Sequence, residues 1–263
     1  MGEDRFGYIA FGKDELYARG ALFSALRLQH YCPGAKITVL TDRPSVFDGY
    51  SIETIELTPD TKAEMSFGNR YLFGIKAAGI IEMLRRCERL FFMDTDMYPT
   101  GDISHCFDGI SSSLSTMRKC EGTPKPAYRE IEDKGFLLGN HRLTGREPMW
   151  NSGVLGVHNA NIPALIEAYH AMEQMIGVVR AHTTEQFCIG VALSNDGRKI
   201  RRHRLPIRNY NTRGRKLFAR RRIDAFFEAN GNLDAAQLRK QAAAYRVWRG
   251  PLDLLLQRGI WHF

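Results

Sequence analysis

The chain has 263 residues, 44% hydrophobic and 25% charged, enough to bury a full core as one large domain or one domain with an appendage. This composition excludes a low-complexity chain, and no apolar run approaches the roughly 20 residues that span a bilayer. The net charge is +8 and is unevenly placed: residues 198–222 carry twelve Lys or Arg and no acid, leaving 25 basic against 29 acidic groups elsewhere. Such a block reads as a patch for phosphate groups on an anionic lipid surface, a nucleotide or nucleic acid, or as a solvated basic face with no partner. Five cysteines (Cys32, Cys87, Cys106, Cys120, Cys188) form no C-x-x-C pair, which predicts free, mostly buried thiols in a reducing compartment. The opening Met1-Gly2-Glu3-Asp4-Arg5-Phe6 lacks a leader's basic start and apolar stretch and has Phe where myristoylation needs Ser or Thr, so a cytoplasmic protein is expected.

In chain order, Phe6 to Phe11 reads as a first strand ending at Gly12. Residues 15–31 have apolar positions at Leu16, Ala18, Leu22, Phe23, Leu26 and Tyr31, the pattern of a helix packed on one face, and Pro33-Gly34 stops it. Lys36 to Leu40 is a second strand before a turn at Thr41-Asp42-Arg43-Pro44, and the alternation of Ser51 to Leu57 predicts a third. A helix is predicted over 69–87 with its seam at Leu72, Ile75, Ala78, Gly79 and Met83.

Leu90-Phe91-Phe92-Met93 is a continuous apolar run, as in a strand buried on both faces, and Asp94-Thr95-Asp96 follows it. In open α/β sheets ligands sit beyond the carboxyl ends of such strands, and two hard oxygen donors there suit Mg²⁺ or Mn²⁺ and hence a diphosphate. The alternative is a surface turn with two solvated carboxylates.

Residues 108–148 are rich in Ser, Gly, Pro and charge with weak periodicity, and read as an insertion or a long active-site loop. Val154 to Val157 is a short strand entered through Trp150-Asn151-Ser152-Gly153. Helices are predicted over 162–179, with Pro163 in the first turn, over 183–193, with Thr183 as cap, and over 234–248 on the surface. The order β-α-β-β-α-β predicts an α/β protein with a doubly wound, mostly parallel central sheet flanked by helices, ending in a basic helical segment.

Taken together, these parts resemble a glycosyltransferase of the GT-A fold, most of all the retaining family of glycogenin and the bacterial lipooligosaccharide galactosyltransferases. The resemblance rests on Tyr8-Ile9-Ala10-Phe11 with Tyr17 and the strand ending Thr41-Asp42; on Tyr71 and Lys76; on Asp94-Thr95-Asp96 with Asp102-Ile103 downstream; and on Asn151-Ser152-Gly153 followed by Glu185-Gln186. It covers roughly residues 6–212, which would make 1–212 the transferase domain and 213–263 a basic helical extension facing membrane or acceptor. Two departures stand out: Glu185 replaces the family's usual Asp, and the family's late H-Y-x-G-x-K-P-W motif is missing, leaving only His262 late enough to be a third metal ligand.

The resemblance implies a UDP-sugar donor, Mn²⁺ or Mg²⁺ on Asp94, Asp96 and His262, and a carbohydrate, glycolipid or glycoprotein acceptor. Phe11, Tyr17, Asp42, Tyr71, Lys76, Asp94, Thr95, Asn151, Ser152 and Gly153 would contact the donor. Gln186 would stand beside the anomeric carbon, with Glu185 orienting hydroxyls; the stereochemistry would be retained. The basic segment suggests peripheral docking on an anionic membrane rather than on nucleic acid. Competing readings are a sugar nucleotidyltransferase, for which Gly12-Lys13-Asp14 is a thin phosphate loop, and a non-enzymatic anionic-surface or nucleic-acid binder. A haloacid-dehalogenase-type phosphatase would continue D-x-D-x-[TV], and Tyr98 stands there instead.

Overall fold

The computed structural model describes residues 2–124, 126–210 and 213–247. Its first half contains β1 (Asp4–Ala10), α1 (Leu16–Tyr31), β2 (Ile37–Thr41), β3 (Glu53–Glu56), α2 (Pro59–Met65), α3 (Gly74–Leu84), β4 (Arg89–Met93), β5 (Met97–Pro99), β6 (Leu114–Met117) and β7 (Cys120–Gly122). There follow β8 (Leu137–Leu138), β9 (His141–Arg142), β10 (Met149–Trp150), β11 (Val154–His158), α4 (Ile162–Met175), α5 (Thr184–Ser194), β12 (Lys199–Arg202), β13 (Ile207–Asn209), α6 (Arg213–Asn230) and α7 (Ala235–Ala244).

Seven strands form a mostly parallel central sheet, flanked by helices, in the order β12-β6-β11-β4-β1-β2-β3. β1 runs parallel to β4, β2 to β3 and β12 to β6, while β11 is antiparallel to both β4 and β6. The architecture is compatible with a doubly wound α/β fold. Leu90 to Met93 are all buried, as their uninterrupted apolar run requires of a strand covered on both faces. In the β4·β11 register Met93 stands opposite Val154, so β4 ends and β11 begins at the same end of the sheet.

The chain divides into two compact units. The first holds the residues up to Gly7, Leu57–Met93 and His105–Arg204. Its core sets Phe6 edge-on against Phe91 and Phe107, with ring centroids 5.9 and 5.0 Å away. Ile75, Ile80 and Leu84 of α3, Leu165 and Met172 of α4, and Phe187 and Ile189 of α5 are also buried. The second holds Tyr8–Glu56, Asp94–Ser104 and the residues from Leu205 onward. There Phe23 of α1 meets Tyr98 and Phe226 edge-on at 5.7 and 5.5 Å. Arg27, only 4% exposed, donates to the carbonyls of Pro99 (2.7 Å) and Ala242 (2.6 Å), fixing α1 to β5 and α7. A buried guanidinium is tolerable because its fork finds carbonyl acceptors in place of water.

Several expectations need correction. Residues 108–148 are not a loop alone: β6 lies inside the central sheet, with Ser115 and Thr116 each 2% exposed. The helix expected from residue 69 begins at Gly74, and Leu72, expected on its seam, is 48% exposed. The delay comes from a left-handed turn at Phe67, Gly68 and Asn69 (φ 55°, 68° and 64°), which α-helical propagation cannot pass. A β-carbon on Gly74 would lie 2.6 Å from the Met65 carbonyl oxygen, so that turn closes on the helix start too tightly for any side chain. Thr183 stands at the N-cap of α5 as expected, but its side chain makes no cap bond and its hydroxyl bonds the Tyr128 hydroxyl at 2.9 Å instead. The helix expected over 234–248 is α7, opened by an Asp234–Gln237 capping box, with Leu238 and Ala242 buried rather than on the surface; residue 248 lies outside the described residues. Of the five cysteine thiols four are buried and Cys120 is exposed. Among the described residues no helix is long and apolar enough to cross a membrane.

Candidate functional site

In the first unit, residues far apart in sequence converge on the start of α5. Lys76 of α3 donates to the Ser152 hydroxyl at 3.0 Å, and its Nζ lies 3.4 Å from Glu185 Oε1 and 5.2 Å from the Phe92 ring centroid. The Lys76 and Glu185 side chains are 13% and 5% exposed, so this is a nearly buried ion pair. Burying two charges is tolerable only because each offsets the other's loss of water. The pair is incomplete: Oε1 lies within ionic reach of Lys76, yet among the described residues it accepts no hydrogen bond.

Tyr71 closes the same helix start. Its hydroxyl oxygen accepts the Glu185 backbone N–H at 2.9 Å and its proton goes to the His182 carbonyl at 3.2 Å, satisfying a donor that every helix N-terminus leaves open. Burial, reinforced by the Glu185 carboxylate, pushes the Tyr71 hydroxyl up, which keeps it a donor. Burial pushes Tyr128 up to about 12 in the same neighbourhood.

A second carboxylate completes this cluster, and no motif announces it. Glu121 on β7 accepts from Asn151 Nδ2 at 3.0 Å on one oxygen and from Gln186 Nε2 at 2.9 Å on the other, with Lys119 Nζ 3.6 Å away. Burial pushes the Glu121 carboxyl up, but the bonds from Gln186, Asn151 and Lys119 together outweigh it and hold the group below its usual range. Asn151 is fixed at both ends, because its Oδ1 also accepts the Gly153 N–H at 3.2 Å. Ser152, Glu185 and Gln186 are 1%, 4% and 8% exposed, whereas Glu121 and Lys119 are exposed, so the cluster is buried on one side and open to solvent on the other. Lys76, Asn151, Ser152, Gly153, Glu185, Gln186 and Tyr71 are thus gathered in one place.

In the second unit, the acidic pair follows β4. Asp94 is half-buried and its carbonyl accepts the Met97 N–H at 3.0 Å, closing a turn. The Thr95 carbonyl accepts the Tyr210 hydroxyl at 3.0 Å, and the Asp96 carbonyl accepts the Tyr210 N–H at 3.2 Å. Asp96 is 7% exposed; its Oδ2 receives Lys216 Nζ from α6 at 2.9 Å and its Oδ1 the Asn209 amide at 3.4 Å. Asp42, at the end of β2, accepts the Gly12 N–H at 3.0 Å and so ties the ends of β1 and β2 together. Gly12 has φ 134°, open to glycine, just after Phe11. The Arg220 guanidinium lies 4.0 Å over the Tyr17 ring. His262 lies outside the described residues.

Compared with known proteins, the chain matches no family model and no curated protein.

The fit of a divalent cation follows from the donor set. Both Asp96 oxygens are engaged, one by an ammonium group, and among the described residues no three His, Cys, Asp or Glu are grouped to hold a metal ion. A cation ligated by Asp96 in this arrangement would stand close to the Lys216 ammonium, which is 2.9 Å from Oδ2. As arranged, Asp96 and Lys216 form a charge-compensated anchor for α6.

Proposed function

We propose that this chain is a GT-A-type glycosyltransferase that moves a sugar from a nucleoside-diphosphate donor, a UDP-sugar by resemblance, to a carbohydrate, glycolipid or glycoprotein acceptor. One observation carries the reading. Lys76, Asn151, Ser152, Glu185 and Gln186, which the resemblance assigns to donor binding and transfer, meet in one partly buried, hydrogen-bonded cluster although they come from three separate segments. A sheltered set of amides, an ammonium group and carboxylates suits polyhydroxylated ligands, because each sugar hydroxyl both donates and accepts.

Retention is the expected outcome. Gln186 is a poor nucleophile, and its amide is turned onto Glu121, which leaves it suited to orient and to stabilise charge. In front-face transfer the bond from C1 to the leaving phosphate oxygen breaks through an oxocarbenium-like state. The acceptor oxygen bonds C1 on the same face, and its proton passes to the leaving phosphate. The cluster's part is to hold the sugar and exclude water, which limits hydrolysis of the donor.

The test is a panel of nucleotide sugars incubated with the full chain, with release of the nucleoside diphosphate as readout. Turnover of one donor with a retained anomer supports the reading. No turnover with any donor, together with tight nucleic-acid binding that weakens steeply with salt, would replace it by the binding-protein alternative.

A further inference from the structure

Two cations on one face of α6 meet Tyr17, which the resemblance assigns to the donor, and Asp96, which it assigns to the metal ion. Lys216 and Arg220 are four residues apart, one helical turn, and so project from the same side. Lys216 reaches Asp96 at 2.9 Å, and Arg220 stacks on Tyr17 at 4.0 Å. Asp224, a further turn along, pairs with Arg19, so the same face of α6 is fastened along α1.

Tyr210 lies among these groups. Burial and then the Asp96 carboxylate push its hydroxyl up, while Arg220 draws it partly back, so both charges act on one phenol. The packing is close: a β-carbon on Gly20 of α1 would stand 2.7 Å from the Thr95 carbonyl oxygen and 3.4 Å from the Tyr210 hydroxyl. The elements carrying Tyr17, Thr95, Asp96, Lys216 and Arg220 are therefore set against each other with little slack.

A diphosphate needs positive charge, and a divalent ion is one source. An ammonium and a guanidinium held in place are another: lysine offers a point charge with three donors, arginine a planar fork matched to phosphate oxygens. The Lys216 side chain is 32% exposed, so it reaches solvent while one proton is given to Asp96. Asp96 then works as a positioning residue that fixes the ammonium group.

We infer that α6 supplies the cations for the donor diphosphate: Lys216, held by Asp96, and Arg220, stacked on Tyr17, bind a nucleoside diphosphate directly, without a metal ion on Asp96. This deepens the glycosyltransferase reading and rests on it.

The experiment is calorimetric titration of the full chain with UDP, once in EDTA and once in Mn²⁺. Equal affinity in the two buffers is expected. Lys216→Met and Arg220→Met should each weaken UDP by about tenfold or more, the scale of a lost charge-assisted bond, with no recovery in Mn²⁺. Lys216→Arg should stay within a few-fold of the parent, and uridine, which has no phosphate, should bind Lys216→Met and the parent alike. UDP binding that requires Mn²⁺, or Met variants that bind as the parent does, would overturn the inference and leave the transferase reading standing. No UDP binding in either buffer would remove that reading and the inference with it. Should Lys216→Met melt early, Arg220→Met and Lys216→Arg decide alone: parent-like affinity in Arg220→Met overturns the inference.

Discussion

Asn151 and Gln186, 35 positions apart in sequence, donate their side-chain amides to the two oxygens of one carboxylate, Glu121, at 3.0 and 2.9 Å. This clamp sets the direction of both amides before any ligand arrives. Glu121→Ala frees them, and each then reorients at the cost of productive geometry. Sugar transfer or donor hydrolysis should fall by about tenfold or more through kcat, since a lost charged hydrogen bond is on the order of 1.5–3 kcal/mol. UDP affinity should not change. Steady-state kinetics beside UDP titration checks the split; an equal loss in both would mean general damage.

Lys76 and Glu185 invite a double-mutant cycle. Lys76→Met strands a carboxylate that is 5% exposed, and breaking a buried pair in this way costs about 3–5 kcal/mol. Lys76→Met/Glu185→Gln removes the stranded charge and should regain a large part of that loss. Urea unfolding of the two singles and the double measures it. Additive losses would show that the two groups do not interact.

His203 gives a pH prediction. Burial, with Arg118 and Arg202 adding, pushes its pKa from 6.5 down to about 4. The unfolded chain therefore binds this proton first as pH falls, and the fold takes it up only near pH 4. The contribution is fully present above about pH 6.5 and is lost progressively between 6.5 and 4. Unfolding free energies at pH 7 and 4.5 should differ less in His203→Gln than in the parent. An unchanged difference would place the acid sensitivity elsewhere.

Gly20 tests the close approach of α1 to the turn after β4. An alanine β-carbon at 2.7 Å from the Thr95 carbonyl oxygen must displace α1 or that turn. Gly20→Ala should lower stability by about 1–3 kcal/mol, as overpacking does. It should also weaken UDP, because Asp96 lies one residue beyond Thr95. Thermal melting and titration on the same preparation check both; a stable variant with parental affinity would contradict the packing described.

How much of this was legible in the sequence depended on whether the signal was local. The apolar run of β4 announced itself, since burial there is written as consecutive apolar residues, whereas α1, read as packed on one face, is buried all round from Gly20 to Leu28, Ser24 and Arg27 included. β6 did not, because a strand whose middle is Ser115-Thr116 has no apolar pattern although both are buried. Glu121 was invisible for another reason: its partners are distant in sequence and a single Glu carries no motif. The basic segment read as a phosphate-binding patch or a solvated face, with no internal pairs, because pairing is tertiary. In the fold Arg198 bonds the Ala192 carbonyl and Asp196, Lys216 meets Asp96, Arg220 covers Tyr17 and Arg222 covers Tyr245. The acidic pair itself was legible, but its partner Lys216 was not.

The most direct measurement follows release of nucleoside diphosphate from a panel of UDP-sugars by the parent chain and by Gln186→Ala in parallel, with melting temperature recorded for each. The account predicts turnover of at least one donor by the parent, and a rate lower by about a hundredfold in the variant, the scale of removing one aligned transition-state donor, with the variant still folded and melting only about a few degrees lower. No turnover of any donor by the parent, or equal rates for the two proteins, would contradict it.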